Sequence, residues 1–131
     1  MVKELKTVTE FAAAIGDEKT GVVVIDFFAD WCGPCKRIAP LIDTCAKTYE
    51  DVGFYKINVE NKDLSKICDA CKIKSLPTFC FFVSGKYVNE FVGANATEVE
   101  KLVNKNLETL NASSAKFSEN SRTPNVEPSE F

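Results

Sequence analysis

Val22-Val23-Val24-Ile25-Asp26-Phe27-Phe28-Ala29-Asp30-Trp31-Cys32-Gly33-Pro34-Cys35 is the stretch whose reading decides the fold. Residues 22–29 are apolar on both alternating faces apart from Asp26, which is how a strand covered on both sides reads. Such a strand belongs in the middle of a parallel sheet. Beyond Cys35, the residues Ile38, Leu41, Ile42, Cys45 and Tyr49 recur at helical spacing, with Lys36, Arg37, Asp43 and Lys47 off that stripe. A buried strand therefore runs through two cysteines into a long amphipathic helix, and Pro34 suits one of its opening positions. Pro40 falls inside this helix, removes an internal hydrogen bond and predicts a kink.

Working outward, Thr7 and Glu10 have the spacing of a capping box ahead of Phe11, Ala14 and Ile15, which predicts a first helix. Residues 52–59 read as a second buried strand, and residues 63–71 as a short helix with Leu64, Ile67 and Cys68 inward. Pro77 opens an aromatic strand over residues 78–83. Ser84-Gly85 separates it from residues 87–92, the signature of an antiparallel hairpin. Thr97 and Glu100 form another candidate capping box before Val99, Leu102, Val103, Leu107 and Leu110, a closing helix. From Asn111 the composition turns to Ser, Asn, Glu and Pro, with too few apolar groups to offset the cost of ordering. The chain thus divides into one domain over residues 1–110 and a flexible tail over 111–131.

With 131 residues, 45% hydrophobic and ten of them phenylalanine, the chain has material for one compact core. The net charge is −3 and the lysines are scattered, so a nucleic-acid partner or an anionic membrane surface is not expected. No run at the N-terminus has the length of a signal peptide or a membrane span, and the expected compartment is the cytoplasm. Histidine is absent, which excludes Cys-His and Ser-His catalysis and histidine metal ligation.

In a reducing compartment six cysteines do not read as a disulfide framework, so their spacing is read for chemistry or metal. Cys32 falls at the strand-to-helix junction. There the unpaired backbone N–H groups and the positive end of the helix dipole favour a thiolate, while Cys35 lies inside the first turn and is shielded. Cys32 is the expected nucleophile and Cys35 the thiol that resolves the mixed disulfide it forms. Asp26 is a buried carboxyl, costly unless protonated or paired, and that expense points to a proton-handling role. A four-cysteine zinc site from Cys32, Cys35, Cys68 and Cys71 is the competing reading. It fits poorly, because 32 residues separate the pairs and Trp31 and Pro34 bracket the first. Cys45 and Cys80 read as core residues. A bond between Cys68 and Cys71 would strain the end of a helix, because Cβ atoms three residues apart lie about 5 to 6 Å from one another.

Trp31-Cys32-Gly33-Pro34-Cys35 after a buried strand, together with Asp26, Leu76-Pro77-Thr78 and Phe91-Val92-Gly93-Ala94, resembles the thioredoxin family over residues 1 to about 110. The resemblance implies an α/β fold, a mixed five-stranded sheet in the order βαβαβαββα flanked by four helices. It implies Cys32 as nucleophile, Cys35 as resolving thiol, with Gly33 and Pro34 between them, Asp26 as proton acceptor and Lys56 as its partner. Pro77 is similar to the family's cis-proline, and Trp31, Leu76, Gly93 and Ala94 to its substrate groove. Phe28 stands where many bacterial members carry tryptophan. Cys71 matches a position where animal members often hold a non-catalytic cysteine open to regulation, and Cys68 with Cys71 is a further candidate regulatory pair. No bound cofactor or metal is implied. The expected activity is protein-disulfide reduction by a monomer, with electrons from an NADPH-dependent thioredoxin reductase and clients such as peroxiredoxins. A secretory oxidase or isomerase is disfavoured by Gly33-Pro34, where isomerases usually carry Gly-His. A non-catalytic binding module on the same fold stays open.

Overall fold

In the computed structural model, residues 2–120 are described, with side chains through residue 112. The strands are β1 (Lys3–Glu4), β2 (Val22–Phe28), β3 (Val52–Asn58), β4 (Thr78–Val83) and β5 (Lys86–Val92), in the spatial order β1-β3-β2-β4-β5. β1 and β2 pair parallel to β3, whereas β4 pairs antiparallel to β2 and β5 to β4. The helices are α1 (Val8–Ile15), α2 (Gly33–Thr48), α3 (Ser65–Ala70) and α4 (Ala96–Asn120), with a 3-10 turn at Lys62–Leu64 before α3. This is the expected mixed sheet with four helices.

The alternation of strand residues divides the core in two. Val23, Ile25 and Phe27 of β2 join Cys80 and Phe82 of β4 on one face, packed by Phe11 of α1 and Ile67 of α3. Val22 and Val24 join Phe79 and Phe81 on the other, packed by Ile38 and Ile42 of α2 and Val99 and Val103 of α4. Asp26, an even-numbered strand residue, therefore faces the α2 side. β5 serves both faces because Val88 is an extra residue between the pairs Phe81↔Asn89 and Phe82↔Tyr87. The bulge switches the sheet face to which the strand's half-buried residues turn, so Tyr87 packs on the first core and Phe91 on the second.

The local signals hold with specific changes. Thr7 Oγ1 accepts the Glu10 N–H at 3.0 Å, but Glu10 reaches back to the Lys6 amide rather than that of Thr7. Ser84 and Gly85 both have positive φ, 53° and 82°, the two-residue turn that suits the twist of a hairpin. The cap of α4 is Asn95, whose Oδ1 accepts the Glu98 N–H at 3.2 Å. Thr97 lies inside the helix, and Glu100 instead accepts the Tyr49 hydroxyl at 2.8 Å. α3 ends in a Schellman motif: Lys72 N–H bonds to Asp69 O and Ile73 N–H to Cys68 O, with Lys72 at φ 56°. Finally, α4 continues to Asn120, ten residues past Leu110, the expected last residue of the domain. No Gly or Pro interrupts the chain between Gly93 and Pro124, so no helix breaker stops α4 at residue 110. The remainder of the expected tail lies outside the described residues.

Candidate active site

Cys32 and Cys35 are joined in a disulfide, with Cα atoms 5.3 Å apart. Cys32 is the N-cap of α2 in extended backbone, and its Sγ accepts the Cys35 N–H at 3.1 Å. A sulfur in this place occupies the position that polar caps take, where orphan N–H groups need an acceptor. When the bond is reduced, the same N–H and the helix dipole favour a negative sulfur, and a hydrogen bond to a charged group contributes about 1.5–3 kcal/mol. Pro34, near the start of the helix, has no N–H to leave unpaired. Burial does not separate the two cysteines as expected, since Cys32 is 4% and Cys35 5% exposed. Their difference is lateral: Cys32 lines a surface groove of about 720 Å³, and Cys35 does not.

One wall of that groove is Trp31, Cys32, Gly33 and Pro34; the facing wall is the loop from Ile73 to Leu76, with Val59 and Cys68 beside it. Trp31 is 67% exposed. Its indole N–H donates to Glu60 at 2.7 Å, and the Glu60 amide donates to Asn58 Oδ1 at 2.9 Å. The ring is thereby held at the rim by the end of β3. The Leu76–Pro77 peptide is cis, a state the sequence leaves open. Gly93 donates its N–H to Pro77 O at 2.9 Å and has φ 130°, a conformation side chains resist. Pro77, Gly93 and the exposed Ala94 are not among the residues that line the groove.

Asp26 is 7% exposed, and its Oδ1 has no hydrogen-bond partner. Burial pushes its carboxyl up from 3.8 to about 7, against the opposing pull of the Lys56 charge. Strand alternation turns Asp26 toward α2, whose inward stripe of Cys35, Ile38, Ile42 and Cys45 starts at the resolving cysteine. Lys56 is its register partner on β3, but no ion pair joins them among the described residues. The ammonium instead lies 5.3 Å from the centroid of the Phe28 ring. The expected pairing is thus a longer-range field.

Cys45, Cys68, Cys71 and Cys80 are free thiols. Cys45, Cys71 and Cys80 are buried, and Cys68, half-buried, also lines the groove. A hydrogen bond to Cys80 and then burial push the Cys71 thiol up; burial does the same to Cys68. Both are therefore held as thiols rather than thiolates at neutral pH. Among the described residues no cluster of three or more Cys, Asp or Glu is placed to hold a metal ion, and Cys32 is bonded to Cys35 while Cys68 and Cys71 are free thiols. No helix among the described residues is long and apolar enough to cross a membrane. Sequence reading missed Glu60 and the groove positions Val59, Ile73, Lys74 and Ser75, because no local period marks residues that meet only through a loop.

A reduced Cys32 at this position can attack a disulfide presented along the groove, and Cys35 can then displace the product by attacking Cys32. The thioredoxin family model matches residues 2–105. A thioredoxin-like protein, R548, of Acanthamoeba polyphaga mimivirus is 54% identical over 102 residues, covering 78% of this chain and 74% of the relative. Among solved structures, Plasmodium falciparum thioredoxin superposes with TM-score 0.72 at 38% identity, covering 79% of this chain and 98% of its own. A structure concerned with thiol resolution in yeast mitochondrial 1-Cys peroxiredoxin via glutathione and thioredoxin systems matches with TM-score 0.72 at 33% identity, covering 79% and 94%. The disulfide at the strand-to-helix junction and these matches agree: the chain is a thiol-disulfide oxidoreductase and belongs to the thioredoxin family.

Proposed function

We propose that the chain is a general protein-disulfide reductase recharged by an NADPH-dependent thioredoxin reductase. The observation that carries this reading is the Cys32 sulfur, which caps α2 on the Cys35 N–H while lining an open groove. In each turnover Cys32 displaces one sulfur of a client disulfide and forms a mixed disulfide. Cys35, losing its proton, attacks Cys32 Sγ; the client leaves as a dithiol and Cys32–Cys35 is restored as a disulfide. Asp26 accepts the Cys35 proton, since its carboxyl, lifted to about 7, exchanges protons near neutral pH and faces the helix that bears Cys35. Lys56 tunes that carboxyl. Trp31 and Leu76 line the groove that takes the client, and Pro77, Gly93 and Ala94 support it.

The working unit is residues 1–110, in keeping with the family match. Peroxiredoxins are a client class supported by the peroxiredoxin system among the structural relatives. The protein works as a cytoplasmic monomer without a bound cofactor. Cys68 and Cys71 serve regulation only under strong oxidation, because both thiols are held protonated.

The test is to measure insulin reduction with NADPH and thioredoxin reductase, and to trap clients on Cys35→Ser. Turnover that follows NADPH consumption, together with trapped mixed disulfides on Cys32, is the expected result. A dithiol potential at the oxidising end of the protein range, or an empty trap, sinks it.

A further inference from the structure

Lys74 is the one formally charged side chain that lines the groove beside Cys32; the rest of the lining is apolar or neutral. It is exposed and makes no ion pair among the described residues, where the Lys101–Glu98 contact is the recorded bridge. Glu60, which accepts the Trp31 indole N–H at 2.7 Å, is not among the lining residues. The loop that carries Lys74 is fixed at both ends. Ile73 N–H bonds to Cys68 O at 3.1 Å, and Thr78 Oγ1 donates to Ser75 O at 2.6 Å. A cation is therefore presented from anchored backbone toward an apolar trough, where low-dielectric walls strengthen its field.

We infer that Lys74 sets client preference: the groove favours disulfides whose flanking segment carries an acidic side chain. This rests on the proposed reductase reading and adds no chemical step to it. The client's carboxylate meets the Lys74 ammonium as the segment lies along the facing wall, which speeds encounter and holds the segment while Cys32 attacks. Because the charge pair is partly solvated, its effect on kcat/KM is modest, roughly two- to fivefold against a neutral client, and it is screened by salt.

Three peptide disulfides, identical except for Glu, Gln or Lys two residues from the reactive cysteine, are compared by kcat/KM at low and high salt. The wild-type chain, Lys74→Glu and Lys47→Glu are used, the last making the same change of net charge on the exposed end of α2 away from the groove. The expected result is an order Glu over Gln over Lys for wild type, inverted by Lys74→Glu, kept by Lys47→Glu and flattened by high salt. Equal rates on all three peptides, or the same shift from both variants, overturns the assignment to Lys74. Failure of wild type to reduce even the Gln peptide overturns the reductase reading, and this inference falls with it.

Discussion

Asp26 and Lys56 are register partners on neighbouring parallel strands, yet the ammonium rests over Phe28 and leaves Asp26 Oδ1 without a hydrogen bond. A carboxyl placed this way is held in its neutral form by burial and only partly drawn back by the lysine's field. A domain does not gain stability from such a group.

Asp26→Asn is expected to stabilise the fold in alkaline solution and not in acid. The folded-state value of about 7 lies above the ordinary 3.8, so folding favours the protonated form. The native chain, unlike the Asn variant, accordingly loses stability as pH rises from about 4 through 7 and levels off once both states are ionised. At pH 8 the gain should be on the order of a few kcal/mol, and below pH 4 close to nil. Urea melts at the two pH values check it; an equal gain at both would mean that packing, not ionisation, is responsible.

Lys56→Met removes the charge that lowers the Asp26 carboxyl, so that carboxyl should titrate still higher than about 7. Following the Asp26 carboxyl carbon by NMR across pH 5–10 gives the answer directly. A midpoint that stays put or falls would show that the lysine's field does not reach the carboxyl.

Thiol counting separates the catalytic pair from the rest. Denatured oxidised protein should show four free thiols, those of Cys45, Cys68, Cys71 and Cys80. In the native oxidised protein, only the half-buried Cys68 should react with iodoacetamide over minutes, and slowly at pH 7 because burial favours its thiol. Loss of Cys71 together with Cys68 after mild peroxide would reinstate a regulatory pair as a working device.

Glu60→Ala should free the indole of Trp31, the chain's single tryptophan and hence a clean fluorescent reporter. Because both groups are exposed, the stability change should stay within about 1 kcal/mol. Steady-state anisotropy of Trp31 should drop, and kcat/KM for a peptide disulfide should fall a few-fold through KM. Unchanged anisotropy would mean that the ring is held by other contacts.

Much of the fold was legible because its signals are local. The doubly buried strand of residues 22–29, the helix that opens at Pro34 and the Ser84-Gly85 hairpin each declare themselves within a few residues, through periodicity and backbone preference. Where two caps competed within three residues, as Asn95 and Thr97 do, the side chain that reaches the first free N–H won, and spacing does not reveal which. α4 runs on into the stretch whose composition turns polar, because composition measures the lack of apolar partners rather than the presence of a helix breaker.

By itself the sequence determined the chemistry: two cysteines where a buried strand meets a helix, a carboxyl sealed in that strand, and no histidine to offer another route. Only the tertiary structure revealed that both cysteines are equally buried and that the groove runs past Cys32 alone. It also left Asp26 and Lys56 without an ion pair among the described residues, and brought Glu60 to the Trp31 indole and Lys74 into the groove lining. Register between strands and the path of a loop depend on contacts far apart in the chain, and no local run of residues encodes them.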